Sequence, residues 1–221
     1  MTTTLAEIET RILAVLQDPN GTRFSSGLLD AAVRLALDTL DQRLPRLSEI
    51  EVTIETGGRE QALSGLEDCL YLVGLCIVHS GQTIRELEPE SEFTYRFQDG
   101  LPWLHFSGRR LPKSGEVLRV TYAASHKLDG LDGKTITTLP AAFESALVNG
   151  AAGHACLLQA TRLAETYGTH PDETTRLMEI SRIRLAEFGQ TLSNLKVLQS
   201  FGFPPGFALD ADDFRAGSRR A

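Results

Sequence analysis

Hydrophobic residues in the first 45 positions recur with the period of an α-helix. Thr4 and Glu7 have the spacing of a capping box, which opens a short helix with the apolar stripe Leu5, Ile8, Ile12 and Leu16. The sequence Asp-Pro-Asn-Gly at positions 18–21 is typical of a turn. A second helix is predicted from Ser25 or Ser26, with Leu29, Val33, Ala36 and Leu40 on its apolar face. It ends at Leu44, because Pro45 disfavours the helical conformation for the residue before it.

From Glu49 the period changes to two, which indicates β-strands. Ile50, Val52 and Ile54 alternate with polar residues, and the apolar run 70–78 predicts a central strand. Residues 92–97 and 103–106 flank a turn and predict a hairpin, and residues 116–123 predict a last strand. Glycine and proline mark the bends between them. The sequence therefore predicts a compact antiparallel β unit, a small sandwich, over residues 49–125.

The longest periodic stretch runs from Thr138 to Tyr167 and predicts a helix that begins at Pro140. One stripe of this helix is large, with Phe143, Leu147, Ala151 and Leu158. The other is almost entirely small: Ala142, Ala146, Gly150, Gly153, Leu157, Ala160 and Ala164. Glycine inside a helix costs about 1 kcal/mol relative to alanine. The two glycines therefore suggest that another helix or another subunit approaches closely, although a plain core helix with a tolerant sequence remains an alternative.

A last helix is predicted after Pro171, and its periodicity stops beyond Leu198. These elements predict an α+β fold, in which residues 1–45 and 138–198 form a helical bundle and residues 46–137 form an inserted β domain. Residues 199–221 are an extended C-terminal tail with four phenylalanines, Phe201, Phe203, Phe207 and Phe214. Disordered segments usually contain few aromatic residues, so these four are expected to dock on a partner. In the alternative, they fold back on their own bundle.

Composition narrows the class of protein. The net charge of −7 and the lack of a basic block argue against nucleic-acid binding. The three cysteines cannot all pair and lie in apolar surroundings, which predicts free thiols in a reducing compartment. No stretch approaches the ~20 apolar residues of a transmembrane helix, and no signal-peptide pattern opens the chain. We therefore expect a soluble protein that is made in the cytoplasm and has no membrane partner.

Candidate chemistry is sparse. Residues 129–135 (DGLDGKT) resemble a phosphate or calcium loop only in part, since Leu128 stands where a phosphate loop needs glycine and no closing glutamate follows. A tight turn is the expectation there. Cys76-x-x-His79 has zinc-like spacing but lacks a second pair nearby. Three other histidines (105, 126 and 154) and the Glu67-Asp68 pair have no catalytic neighbour in sequence. We predict no catalytic residues, no metal and no cofactor, hence no enzyme, with an unrecognised active site as the remaining alternative.

Two segments resemble adaptor proteins of tailed bacteriophages, also called head-completion or head–tail connector proteins. One is VTYAASHKLDGLDGKTITTLPAAFESALVNGAAGHAC, from Val120 to Cys156. It has a strand ending in tyrosine, a histidine, a "gld" turn, threonines with Leu-Pro, and a helix with Gly-Ala-Ala. The other is FSSGLLDAAVRLALDTLDQRLP, from Phe24 to Pro45, which is similar to the early helix of such proteins. The resemblance covers most of the first 160 residues and does not include the tail.

The resemblance implies a structural virion protein at the neck, made in the host cytoplasm. Such a protein forms a homo-oligomeric ring, usually a dodecamer, that docks under the portal protein and carries the stopper and tail. DNA passes through the ring without specific binding, which suits an acidic chain. Ala146, Gly150, Gly153 and Leu157 would then pack between subunits. The four tail phenylalanines would dock on the portal or on a neighbouring subunit.

One competing function is a binding module. The β unit contains Trp103, Tyr95, Tyr71 and Phe106, which could form a carbohydrate or peptide platform on a phage or host-recognition protein. Aromatic residues on one exposed face favour that function, and aromatic residues pointing inward favour a plain core. A monomeric α+β domain without a ring is the third alternative.

Overall fold

The computed structural model describes residues 3–66, 68–79, 82–108, 111–165 and 171–200, with the backbone alone at 79, 82–84 and 198–200. Over these residues the chain has four helices and two antiparallel sheets, which confirms the predicted α+β class. It divides into two compact units, one of residues 1–44 and 126–221 and one of residues 45–125. Within the described residues, no helix combines the length and apolar character needed to cross a membrane.

The first unit is helical. Its helices are α1 (Leu5–Val15), α2 (Ser26–Arg43), α3 (Ala141–Ala164) and α4 (Pro171–Ser200). The capping box at Thr4 is present, with Thr4 and Glu7 bonded reciprocally. α3 contacts all three other helices and is the central helix of the unit, as predicted from its two stripes. Its large stripe, with Phe143 and Leu147 almost fully buried, lies in the same core as Ile8, Ile12 and Leu40.

Residues 126–137 lie in the helical unit, whereas the sequence analysis placed them in the β domain. The reason is apolar packing, because Leu128 and Leu131 are buried in the helical core. The backbone N–H of Leu5 also donates to the carbonyl of Asp129 at 2.8 Å, and the hydroxyl of Thr137 donates to the carbonyl of Thr3. The segment therefore ties α1 to the start of α3.

The second unit consists of two sheets. One has the strand order β1-β7-β3-β4, with β1 Arg46–Thr53, β3 Cys69–His79, β4 Gln82–Leu87 and β7 Val117–Ala124. The other has the order β2-β6-β5, with β2 Glu60–Ala62, β5 Phe93–Gln98 and β6 Leu101–Phe106. One apolar core contains residues of both sheets, among them Leu75, Val120, Leu104 and Phe106. The unit is thus a small sandwich.

Several boundaries differ from the sequence-based ones. The β5–β6 hairpin turns at Asp99-Gly100, both with positive φ (53° and 77°), so the strands run closer to the turn than predicted. β1 begins at Arg46 rather than Glu49, and α3 ends at Ala164. α4 continues to Ser200, two residues beyond the predicted end of the helical bundle at residue 198. Residues 201–221, with the four tail phenylalanines, lie outside the described residues.

Candidate interaction surfaces

The small stripe of α3 is covered by α4 of the same chain. A Cβ atom built on Gly150 would lie 2.7 Å from the ring of Phe188, and one on Gly153 would lie 2.9 Å from Leu185 Cγ. Contacts this short leave no room for a side chain larger than hydrogen. The close approach predicted from the two glycines is therefore present, and the approaching element is a helix.

This packing changes the proposed subunit contacts. Ala146, Gly150 and Gly153 are buried inside the helical unit, so they are not free to touch a neighbouring subunit in this fold. Their role is to bring α3 and α4 together. The side chain of Leu157 is 40% exposed and is the member of the set that remains available to a partner.

The DGLDGKT segment is a turn, as the sequence predicts. The N–H of Gly130 donates to the carbonyl of Lys134 at 2.9 Å, and Gly130 and Gly133 both have positive φ. A Cβ on Gly130 would meet Leu5 Cβ at 3.4 Å, and Arg34 forms an ion pair with Asp132 at 2.7 Å. Gly130 thus lets the turn lie against Leu5 of α1, and Asp132 ties the turn to Arg34 of α2.

The histidines have structural surroundings. His126 Nδ1 lies 2.6 Å from Asp41 Oδ1, and the backbone N–H of His126 donates to the same oxygen at 2.9 Å. His105 is half exposed and lies 3.7 Å from Glu60. Burial lowers the pKa of His154 in α3. The Cys76-x-x-His79 spacing stays untested, because the side chain of His79 is outside the described residues.

The thiols are not arranged for nucleophilic chemistry. Burial raises the pKa of both Cys69 and Cys156 to about 11, so each is a neutral thiol at physiological pH. Burial likewise raises the pKa of Cys76. In the part of the chain that the structure describes, no three His, Cys, Asp or Glu side chains come together as metal ligands.

The aromatic residues of the β unit do not form a platform. Phe106 is only 2% exposed and belongs to the core. Trp103 lies opposite Arg96 on β5, whereas Tyr95 lies opposite Leu104, so strand alternation puts the two rings on opposite faces of the small sheet. Tyr71 is exposed on the other sheet. The single exposed aromatic face that a binding module requires is therefore missing from these four residues.

An apolar row on the four-stranded sheet is a surface that the sequence analysis missed. Leu47 on β1 and Tyr71 on β3 both lie opposite Ala123 on β7, and their side chains are 66% and 43% exposed. Val73, two residues after Tyr71, is also exposed. The next positions outward on β1 are Glu49 and Glu51, and Glu51 pairs with Arg119 at 2.8 Å. The signal was an apolar residue on the polar side of the alternating β1 pattern.

The sequence and the structure were compared with known proteins. No protein-family model matches the chain, and no curated protein matches it. Among solved structures, a chain in the virion of a native gene transfer agent particle is 17% identical, with a TM-score of 0.33 over 79% of this chain and 86% of that chain. A chain in the neck of an empty gene transfer agent particle, computed with C6 symmetry, is 16% identical, with a TM-score of 0.32 over 80% and 87%.

A chain in the neck of a native gene transfer agent particle, computed with C12 symmetry, is 17% identical, with a TM-score of 0.31 over 82% of this chain and 93% of that chain. Scores of this size do not establish a common fold, so the function is argued from the residues of this chain.

Proposed function

We propose that this chain is a structural virion protein of the neck, an adaptor that joins the portal of the DNA-filled head to the stopper and tail. The observation that carries the proposal is the sequence resemblance over residues 24–45 and 120–156. In the structure these segments are α2, β7, the 126–137 segment and most of α3. The resemblance therefore falls on the residues that build the helical core and connect it to the β unit.

The surroundings of the candidate residues support a structural role. The glycines of the resembling segment are used for helix packing and for a turn that holds α1. Burial raises the pKa of all three thiols, and the aromatic residues of the β unit are divided between faces. The binding-module alternative thus loses the feature that would favour it. Leu157 remains the proposed contact between subunits, since its side chain is exposed on α3.

The ring is proposed to be a dodecamer that is completed on the portal. The free chain is then expected to be monomeric or weakly associated, because the contacts between copies are supplemented by contacts with the portal. The net charge of −7 agrees with a conduit that lets DNA pass without holding it.

The test is negative-stain imaging of the purified chain mixed with the portal protein of the same genome. An added ring of density on one end of the portal is the expected result. The major capsid protein of that genome is the control and should gain no ring. A chain that stays monomeric at saturating portal concentration would count against the adaptor function.

A further inference from the structure

A pocket in the helical unit is lined by arginines on an apolar floor. It has a volume of about 300 Å³ and lies between the α1–α2 connection, α3 and the first half of α4. Arg23, Arg176 and Arg184 line it, together with apolar side chains that include Phe24, Leu177 and Ile180. Its lining has no aspartate or glutamate among the described residues. This is a cationic site on a chain with a net charge of −7.

The three arginines differ in whether their guanidinium groups already have hydrogen-bond or ion-pair partners within the fold. Arg23 pairs with Glu173 at 2.8 Å, and Arg184 lies 3.4 Å from Glu187 and 3.3 Å from Asn149 Oδ1. Among the described residues, Arg176 has no recorded hydrogen bond or ion pair and its side chain is exposed. Three guanidinium groups therefore face two carboxylates. The pocket keeps capacity for one more anion.

The position of the Cys156 thiol agrees with this charge. Burial raises the pKa of Cys156, and the positive charges of Arg23 and Arg184 act in the opposite direction. Both guanidinium groups are thus close enough to the floor of the pocket to act on a charge placed there. An occupant with a carboxylate and a neighbouring apolar side chain would satisfy both the arginines and the apolar lining.

The C-terminal sequence contains such a segment. Residues 207–214 (FALDADDF) contain three aspartates, with Phe207 and Leu209 before them and Phe214 after them. From Arg176 to Ser200, α4 spans about 36 Å at 1.5 Å per residue. The twelve residues from Phe201 to Asp212 reach about 40 Å when extended, so the aspartates can return to the pocket. The covalent link gives this segment a millimolar effective concentration, which favours it over a free anion.

We propose that the arginine pocket binds the acidic segment Phe207–Phe214 of the same chain. Asp210, Asp212 or Asp213 pairs with Arg176, and Phe207 or Phe214 rests on the apolar part of the lining. The tail of the isolated protein is then stored on its own helical unit. The inference stands whether or not the chain is a neck protein.

The experiment is hydrogen–deuterium exchange of the full chain, followed by mass spectrometry of peptides that cover residues 207–214. Four proteins are compared: the parent, Arg176→Gln, the triple variant Asp210→Asn/Asp212→Asn/Asp213→Asn, and the control Arg182→Gln. Arg182 is on the same helix, is exposed and pairs with Glu179, outside the pocket. Arg176→Gln is expected to fold normally, because no described residue depends on this guanidinium.

In the parent and the control, these amides are expected to exchange about tenfold more slowly than in Arg176→Gln and in the triple aspartate variant. Both of those variants lose the charge-assisted hydrogen bond between the segment and the pocket. Protection in the parent is expected to be independent of protein concentration. Equal exchange rates in all four proteins would overturn the proposal. Protection that grows with protein concentration would also overturn it, because the segment would then bind another copy.

Discussion

At Gly150 the fold requires a residue without a side chain. The ring of Phe188 occupies the space in which a Cβ would lie, with three ring atoms within 2.9 Å. Phe188 is itself 1% exposed and cannot turn into solvent without opening the α3–α4 contact. The helix therefore accepts the lower helical propensity of glycine in exchange for close packing.

Gly150→Ala is expected to lower the free energy of unfolding by about 1–3 kcal/mol, the usual cost of overpacking, although alanine is the better helix former. The matched control is Gly189→Ala on α4, whose Cβ would meet nothing closer than Arg43 Nη1 at 3.7 Å. That control should be neutral or stabilise by up to about 1 kcal/mol. Urea unfolding measures both. Equal stabilisation by the two alanines would contradict the close contact.

Asp18 organises the connection between α1 and α2. Its carboxylate accepts hydrogen bonds from the backbone N–H groups of Thr22, Arg23 and Phe24 and from the Thr22 hydroxyl, at 2.8–3.1 Å. Burial acts to raise the pKa of Asp18, and these hydrogen bonds outweigh it, so the pKa lies below its usual 3.8. The ionised form is thus the one that the fold prefers.

The stability that Asp18 contributes should depend on pH. Because the pKa is lower in the folded state, the contribution is complete above the unfolded value near 3.8 and is lost as the pH falls through the folded value. The difference in Tm between the parent and Asp18→Asn should be largest at neutral pH. It should shrink as the pH falls below 3.8. Thermal unfolding between pH 2 and 7 measures it. A difference that is constant over this range would show that the charge is not involved.

At the scale of elements, the periodicity of the sequence predicted the helices and strands, whose signals lie within a few consecutive residues. The four helices and the β5–β6 hairpin follow from spacing and turn residues, because these signals act over a few positions. The glycine pair of α3 also predicted a close neighbour. It did not distinguish a helix from a subunit, since Phe188 lies 38 positions after Gly150 and no local pattern joins them. The arginine pocket was missed for the same reason. The Leu47–Tyr71 row has a local signal at Leu47 alone, because Tyr71 lies on a different strand.

The 126–137 segment shows a second reason why sequence patterns do not predict every part of the fold. It has too few apolar residues to display a period, so its place in the helical core had to come from contacts with α1 and α2. One of these contacts is the hydrogen bond between Asp41 and His126, which are 85 positions apart. Asp41 is near the end of α2, and His126 is the first residue after the β unit.

Asp41→Ala is expected to cost about 1–3 kcal/mol, because it leaves the buried N–H of His126 without its acceptor. Asp38→Ala is the control, one turn earlier on α2 at an exposed position, and should change the stability by less than about 0.5 kcal/mol. Chemical denaturation of both variants provides the comparison. If the two cost the same, the Asp41–His126 pair does not contribute to the fold.

At the scale of the whole molecule, the C-terminal tail is proposed to dock on the portal. Its phenylalanines lie beyond Ser200, where α4 ends in the described structure. A chain truncated after Ser200 is expected to keep the circular dichroism spectrum of a folded protein and to lose attachment to the portal. Truncation after Ala216, which keeps all four phenylalanines, is the control and should attach. Full attachment of the shorter chain, or its unfolding, would reject the docking role of the tail.

The two ends of the β unit lie beside each other. Within that unit, Arg46 of the first strand pairs with Ala124 of the last. Within the helical unit, Asp41 of α2 accepts a hydrogen bond from His126. A gene could therefore acquire or lose the coding sequence for the β unit in a single in-frame event without disturbing the packing of α2 on α3. Homologues that differ by the whole of residues 45–125, and by little in their helices, are the expected evolutionary trace of this arrangement.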